Sequence, residues 1–176
     1  MLMLDQRSKL LAFTGPWVAY AAALWASVFA VFHIVWAAGW YPLLHVEQAR
    51  IAFATPWKWA FDVLVAAMCI IAVPVVLAPV MSWGQHLPQR LIYVLACIGT
   101  ALLVLRSTAS LVQTGYFASV GRFRFAAIGI WEWWFHLGAI LFALSTWRLM
   151  AIRQMRRLIE RAGVLDNAPG PSPRNS

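Results

Sequence analysis

Residues 16–38 contain no Asp, Glu, Lys or Arg, and this long uncharged stretch constrains the fold more than any other feature. At ~1.5 Å per residue, a helix of this length crosses the ~30 Å hydrocarbon core of a bilayer. A signal peptide has an apolar core of only about 7–15 residues, so the stretch is predicted to be an uncleaved membrane anchor. The composition agrees, because 62% of the residues are hydrophobic and only 11% are charged, whereas soluble domains have about 25% charged residues.

Three further apolar stretches follow, and together they predict an all-α, four-helix transmembrane bundle with cytoplasmic N and C termini. The predicted spans are residues 16–38, 58–82, 90–112 and 128–150. Around this transmembrane domain (16–150), the predicted segments are a cytoplasmic N-terminal segment at 1–15, a basic cytoplasmic helical extension at 151–162 and a disordered tail at 163–176. The tail is rich in Pro, Gly, Ser and Asn, and such a composition buries too little apolar surface to fold.

Two local features refine this arrangement. The segment 43–53 mixes polar and apolar residues at helical spacing and is predicted to lie flat at the membrane interface. Pro56 can open the second membrane helix, because proline is tolerated in a first turn. Pro74 and Pro79 predict a kink in the second half of that helix.

The orientation follows from the distribution of Lys and Arg. Four spans put both termini on one side, together with the short loop between the second and third spans. Nine basic residues then lie on the terminal side and four on the other, and leaving out the distant Arg174 gives eight against four. Because cytoplasmic segments carry the excess of Lys and Arg, the termini are predicted to face the cytoplasm.

The net charge of +8 also bears on the binding partners. The basic residues flank the apolar stretches and form no single basic face, so nucleic acid is not expected as a partner. Anionic lipids of the inner leaflet are the expected partners of the basic extension. The residues expected to contact them are Arg153, Arg156, Arg157 and Arg161.

Neither a cofactor nor a metal is expected from the motifs. Cys69 and Cys97 each lie inside an apolar stretch and form no CxxC pair, so we interpret them as small buried hydrophobic residues. The sequence contains no HExxH pair, no phosphate-binding P-loop, no GxSxG and no Gly-rich dinucleotide fingerprint. A metal site would therefore need ligands that converge from different spans.

Lys58, Arg90 and Arg148 lie at the ends of the predicted spans. Five further ionisable residues fall deeper inside the spans, where a charge costs roughly 2.5–3.5 kcal/mol on insertion scales. They are His33, Asp62, Arg106, Glu132 and His136. All five lie in the half of their span away from the cytoplasm, so four helices contribute to one polar layer. The uncharged inner half argues against a simple ion channel. Because intramembrane ionisable residues are functional candidates, this layer is the candidate polar site, with Trp36 on the helix face of His33.

Several interpretations of this layer stay open. Arg106 is predicted to pair with Glu132 or Asp62, since pairing keeps charges tolerable in a low-dielectric site, and the pair could be a structural tie. Asp62 could instead be hydrated at the interface, and both histidines could be neutral and bonded to backbone. Glu132 and His136 share a helix face and could act as acid and base on a lipid or isoprenoid. The Trp residues on the same side predict either an interfacial belt or a pocket for an apolar ligand.

Short motifs in three spans resemble those of one family. Residues 32–39 (FHIVWAAG) are similar to the His-x-x-Trp-Ala-x-Gly signature of small four-helix bacterial integral membrane proteins, a domain of unknown function. Residues 102–106 and 131–138 resemble that family's third and fourth helix patterns, while Trp40 stands where a second Gly would be expected. The resemblance covers about 16–150. It implies the four-helix fold, no particular activity, and an important role for His33, Trp36, Arg106 and Glu132.

The sequence thus predicts a multi-pass protein of the bacterial cytoplasmic (inner) membrane whose molecular function is unassigned. One alternative is an enzyme or binding protein for a lipid-like or isoprenoid small molecule. Another alternative is a structural or assembly subunit of a larger membrane complex. Whether the protein is an enzyme is left open by the residues.

Overall fold

The computed structural model describes residues 15–44, 46–120 and 130–166, and within these ranges the chain is helical and contains no strand. Five α-helices and one 3₁₀ turn follow each other along the chain. They are α1 (Trp17–Ala37), α2 (Val46–Phe53), α3 (Pro56–Leu77), the 3₁₀ turn (Ser82–His86), α4 (Gln89–Ser119) and α5 (Ile130–Asp166).

Four of these helices are long and apolar enough to cross a membrane. Their candidate spans are Trp17–Ala37, Pro56–Leu77, Gln89–Tyr116 and Glu132–Met155. The four predicted helices are therefore confirmed for the described residues, and the segment 43–53 contains the short helix α2. Pro56 opens α3 as predicted.

The helix ends differ from the predictions at three places. α4 continues to Ser119, beyond the predicted residue 112. α3 ends at Leu77, short of the predicted residue 82, because Pro79 has no N–H with which to continue the helical hydrogen bonds, although Ala78 before it still has helical backbone angles. α5 continues without a break from the predicted span through the extension to Asp166, which takes it into the segment 163–176 predicted as disordered. The rest of that tail and most of the N-terminal segment 1–15 lie outside the described residues.

The four long helices run up and down alternately. Tyr20, near the start of α1, donates to Met81 just after α3, while His33 near the end of α1 meets Asp62 near the start of α3. α4 and α5 are likewise antiparallel, and α1 contacts α5. The bundle is thus an α1–α3 pair and an α4–α5 pair joined mainly along α1 and α5.

Gly39 ends α1 in a way that explains its place in the 32–39 motif. Its φ of +88° is left-handed, a conformation that glycine adopts without a Cβ penalty. The Gly39 N–H donates to the Trp36 carbonyl and the Trp40 N–H donates to the Val35 carbonyl. This pair of bonds is a Schellman motif, so the chain leaves α1 at a fixed angle.

Trp25 occupies the centre of the bundle. It is 4% exposed and its indole N–H donates to the Trp134 carbonyl over 2.9 Å. The indole ring stacks on Trp134 and meets Phe142 edge-on. Gly138 of α5 faces the same ring, and this missing side chain lets α1 and α5 approach.

Candidate functional site

A buried histidine–aspartate pair joins the end of α1 to the start of α3. Nδ1 of His33 is hydrogen-bonded to Oδ1 of Asp62, and the two residues are only 8% and 4% exposed. Because an ionised carboxylate only accepts, the imidazole Nδ1–H is the donor. The alternative in which Asp62 is hydrated at the interface is wrong, since the residue is buried and paired.

Aromatic residues hold the His33 ring in place. Phe29 meets it edge-on at a centroid distance of 4.4 Å, and Trp36 does so at 5.0 Å. Trp36 also donates its indole N–H to the Pro42 carbonyl over 3.3 Å. Trp59 of α3 donates to the Ala37 carbonyl over 3.0 Å. These bonds fix the loop after α1, and they fix α1 against α3, around the His33–Asp62 pair.

Next to this pair lies a partly open cavity of about 400 Å³, which we call the His33 cavity. Its wall is almost entirely apolar, and besides His33 and Asp62 it is lined by Phe29, Trp36, Leu44, Phe53, Trp57, Lys58, Phe61 and Phe135. The residues come from α1, α2, α3, α5 and the loop before α2. The short helix α2 therefore forms one side of a cavity through Phe53, whose ring also stacks on Tyr41.

Two polar atoms at this site have no partner among the described residues. They are Nε2 of His33 and Oδ2 of Asp62, and both are covered by surrounding atoms. A buried polar atom without a hydrogen bond costs about 1–3 kcal/mol, so such atoms call for a physical explanation.

A second ion pair joins α4 to α5. The Arg106 guanidinium donates to both carboxylate oxygens of Glu132, over 2.9 and 3.2 Å, and the Ser110 hydroxyl donates to the same carboxylate. The guanidinium also lies 4.4 Å from the centre of the Phe135 ring. The predicted pairing of Arg106 with a carboxylate is thus found, and Glu132 is the partner. This pair is less covered than the first, with side-chain exposures of 42% and 26%.

His136 has a separate position. Its Nδ1–H donates to the Glu132 carbonyl, one turn earlier in α5, over 2.6 Å. This is the backbone bond considered above for a neutral histidine. His136 does not line the His33 cavity, so the geometry gives no support to Glu132 and His136 as an acid–base pair on a ligand bound there.

The predicted site residues therefore share one level of the bundle but form two groups. His33, Trp36 and Asp62 line the His33 cavity, whereas Arg106, Glu132 and His136 do not. Phe29 and Phe135 separate the groups, with their rings edge-on at 5.2 Å. Among the described residues, no three His, Cys, Asp or Glu side chains are placed to hold a metal ion.

The chain was compared with protein-family models, curated proteins and solved structures. No protein-family model, curated protein or solved structure matches this chain. The resemblance of the 32–39 motif to small bacterial four-helix proteins therefore stays a prediction.

The sequence analysis did not identify the phenylalanines of the cavity wall. It also did not identify Ser110, which donates a hydrogen bond to Glu132. Ser110 lies one helical turn after Arg106, so their shared face could have been predicted from the spacing. Phe29 lies one turn before His33 and could have been found in the same way. Phe53 and Phe61 carry no such signal, because their roles depend on how α2 folds back over α3.

A double-mutant cycle on Arg106 and Glu132 tests whether their contact ties α4 to α5. Arg106→Gln and Glu132→Gln should each lower the thermal stability of the detergent-solubilised protein. The double variant should lose less stability than the sum of the losses in the two single variants, with a coupling energy of about 0.5–3 kcal/mol. Lys58→Gln combined with Glu132→Gln is the control, because these charges are not in contact, and its effects should add. Additive losses for Arg106 and Glu132 would contradict a structural ion pair.

Proposed function

We propose that the chain is a multi-pass protein of the bacterial cytoplasmic membrane and that it binds a lipid-like small molecule in the His33 cavity. The cytoplasmic placement of both termini rests on the nine-to-four distribution of basic residues. The His33 cavity then lies at the end of the bundle away from the cytoplasm.

The observation that carries the binding proposal is a buried, hydrogen-bonded His–Asp pair with two unpartnered atoms in an otherwise apolar cavity wall. An apolar pocket with a few polar groups is the usual form of a small-molecule site. Replacing both partners of a buried hydrogen-bonded pair by apolar groups of the same shape can be nearly neutral or stabilising, so the pair is not needed for packing alone. A ligand that supplies hydrogen bonds accounts for its presence.

The tautomer of His33 indicates the chemistry of the ligand. Because Nδ1–H is donated to Asp62, Nε2 of the neutral imidazole is an acceptor, and Oδ2 of the carboxylate is a second acceptor. The ligand should therefore combine an apolar body with a hydroxyl or N–H donor. Both acceptors are covered, so the donor reaches them after a local side-chain rearrangement, which is common on binding.

Farnesol, an isoprenoid alcohol, is a suitable probe, and its methyl ether is the matched compound without a donor. We expect farnesol to raise the melting temperature of the solubilised protein and to quench Trp fluorescence, because Trp36 and Trp57 line the cavity. The ether should bind about tenfold more weakly or worse, since a hydrogen bond to a charged group contributes about 1.5–3 kcal/mol.

His33→Asn should remove this discrimination between alcohol and ether. His136→Asn is the matched control, because His136 lies at the same level but outside the cavity, and it should retain the discrimination. Equal binding of alcohol and ether by the unaltered protein, or unchanged discrimination in His33→Asn, would contradict the proposal.

A further inference from the structure

A second cavity, of about 560 Å³, lies at the opposite end of the bundle. We call it the Arg153 cavity. It is formed by the end of α3, the 3₁₀ turn, the start of α4 and the last part of α5. Its lining residues are Ala78, Pro79, Gln85, Gln89, Leu149, Ile152, Arg153 and Arg157. Unlike the His33 cavity, its wall is largely polar, and both charged residues in it are arginines.

The two arginines lie on the same side of α5 and have no acidic partner among the described side chains. Arg153 and Arg157 are one helical turn apart, so they share a face of α5. The Arg153 guanidinium lies 4.8 Å from the centre of the Tyr93 ring, which orients it. Neither arginine forms an ion pair with any side chain that the structure describes. Two positive charges therefore line one cavity, with no counter-charge among the side chains that the structure describes.

The opposite wall is ordered and polar. Gln89 donates its amide N–H groups to the Gly84 and Leu87 carbonyls, over 2.9 and 3.4 Å, which fixes the 3₁₀ turn against the start of α4. The turn is tightly packed, because a Cβ on Gly84 would overlap the backbone of Ala78. Gln85 lies on this turn and also lines the cavity.

We propose that the Arg153 cavity binds the phosphate group of a ligand. Arginine presents a planar fork of N–H donors that matches phosphate oxygens, so two arginines and an amide suit a tetrahedral anion. The apolar wall residues Leu149 and Ile152 lie in the last part of the candidate span of α5, Glu132–Met155. This apolar side favours a lipid that carries the phosphate on its headgroup over free inorganic phosphate. The site involves no residue of the His33 cavity and does not depend on the function proposed there.

Native mass spectrometry of the full-length, detergent-solubilised protein tests the site. We expect phosphatidylglycerol to bind in preference to phosphatidylcholine. Arg157→Gln should weaken phosphatidylglycerol binding about fivefold, and Arg153→Gln with Arg157→Gln about 25-fold, as expected for basic residues at an anionic headgroup. Arg90→Gln is the matched control. It removes an exposed arginine at the start of α4, at the same end of the bundle and outside the cavity, and should leave binding unchanged.

Added inorganic phosphate separates the two possible sources. If inorganic phosphate displaces the lipid at a similar concentration, and does so only when Arg157 is present, free phosphate is the ligand. If phosphate does not displace the lipid, the lipid is the ligand. The double variant loses the contact between Arg153 and the Tyr93 ring and could fail to fold for that reason. Arg157→Gln keeps this contact and should fold normally, so it tests the site by itself. Unchanged binding in Arg157→Gln, or an equal loss in Arg90→Gln, would overturn the proposal.

Discussion

Replacing His33 by leucine while Asp62 remains should lower the free energy of unfolding by about 3–5 kcal/mol, because it leaves a buried carboxylate without its partner. The double variant His33→Leu with Asp62→Leu should recover most of this loss, since apolar groups of similar shape can replace both partners of a buried hydrogen bond at little cost. The measurement is unfolding in mixed micelles of increasing SDS content, followed by Trp fluorescence.

His136→Leu is the control for this prediction. It removes a hydrogen bond to the Glu132 carbonyl and a ring contact with Trp133, both within α5, so it should cost about 0.5–1.5 kcal/mol. A double variant as unstable as His33→Leu alone would mean that the fold itself requires the His33–Asp62 pair. A stable double variant that no longer distinguishes farnesol from its methyl ether would assign the pair to ligand recognition.

Gly138→Ala should also destabilise the protein, by about 1–3 kcal/mol, because the added methyl group overpacks the core. A Cβ at this position would lie 2.5 Å from Cε2 and 2.8 Å from Cη2 of Trp25. The indole cannot move aside cheaply, since it is buried and bonded to the Trp134 carbonyl. The same SDS unfolding measurement reports the loss.

Gly99→Ala is the matched control on α4. A Cβ there would lie 3.9 Å from Phe142, an ordinary contact, so alanine should be neutral or stabilise by up to about 1 kcal/mol through its higher helix propensity. Trp25→Phe removes the part of the indole that the new methyl group would meet, so Gly138→Ala should cost less in the Trp25→Phe variant than in the unaltered protein. Equal stability of the two alanine variants would contradict a tight approach of α1 and α5 at Gly138.

The helices were predictable because uncharged stretches of this length have few alternatives. Which helix packs against which, and through which face, was not predictable from the periodicity of the sequence. A helix that is apolar all round carries no amphipathic signal, so nothing in its pattern says which face meets which neighbour. For this reason the pairing of Arg106 could be narrowed to two carboxylates but not to Glu132. The pairing of Asp62 with His33 was not predicted at all.

The His33 cavity was hidden for a different reason. Its wall depends on the loop between α1 and α2, where Gly39 and Leu43 have positive φ angles. Glycine adopts such angles readily, but a leucine does so rarely, so no turn signal marks the path of the chain at Leu43. The fold of this loop and of α2 decides that Phe53 reaches the cavity.

The order of synthesis determines when the contacts of the central Trp25 can form. His33 and Asp62 are 29 residues apart, so their hydrogen bond between α1 and α3 can form while α4 is still being made. Trp25, by contrast, donates to a carbonyl 109 residues later. Until α5 has been synthesised, the indole N–H of Trp25 lacks this acceptor. The aromatic side chains that α5 covers in the finished bundle stay uncovered over the same period. The arrival of α5 is therefore the step that completes the core, and a chain shortened before Trp134 would leave Trp25 without its partner.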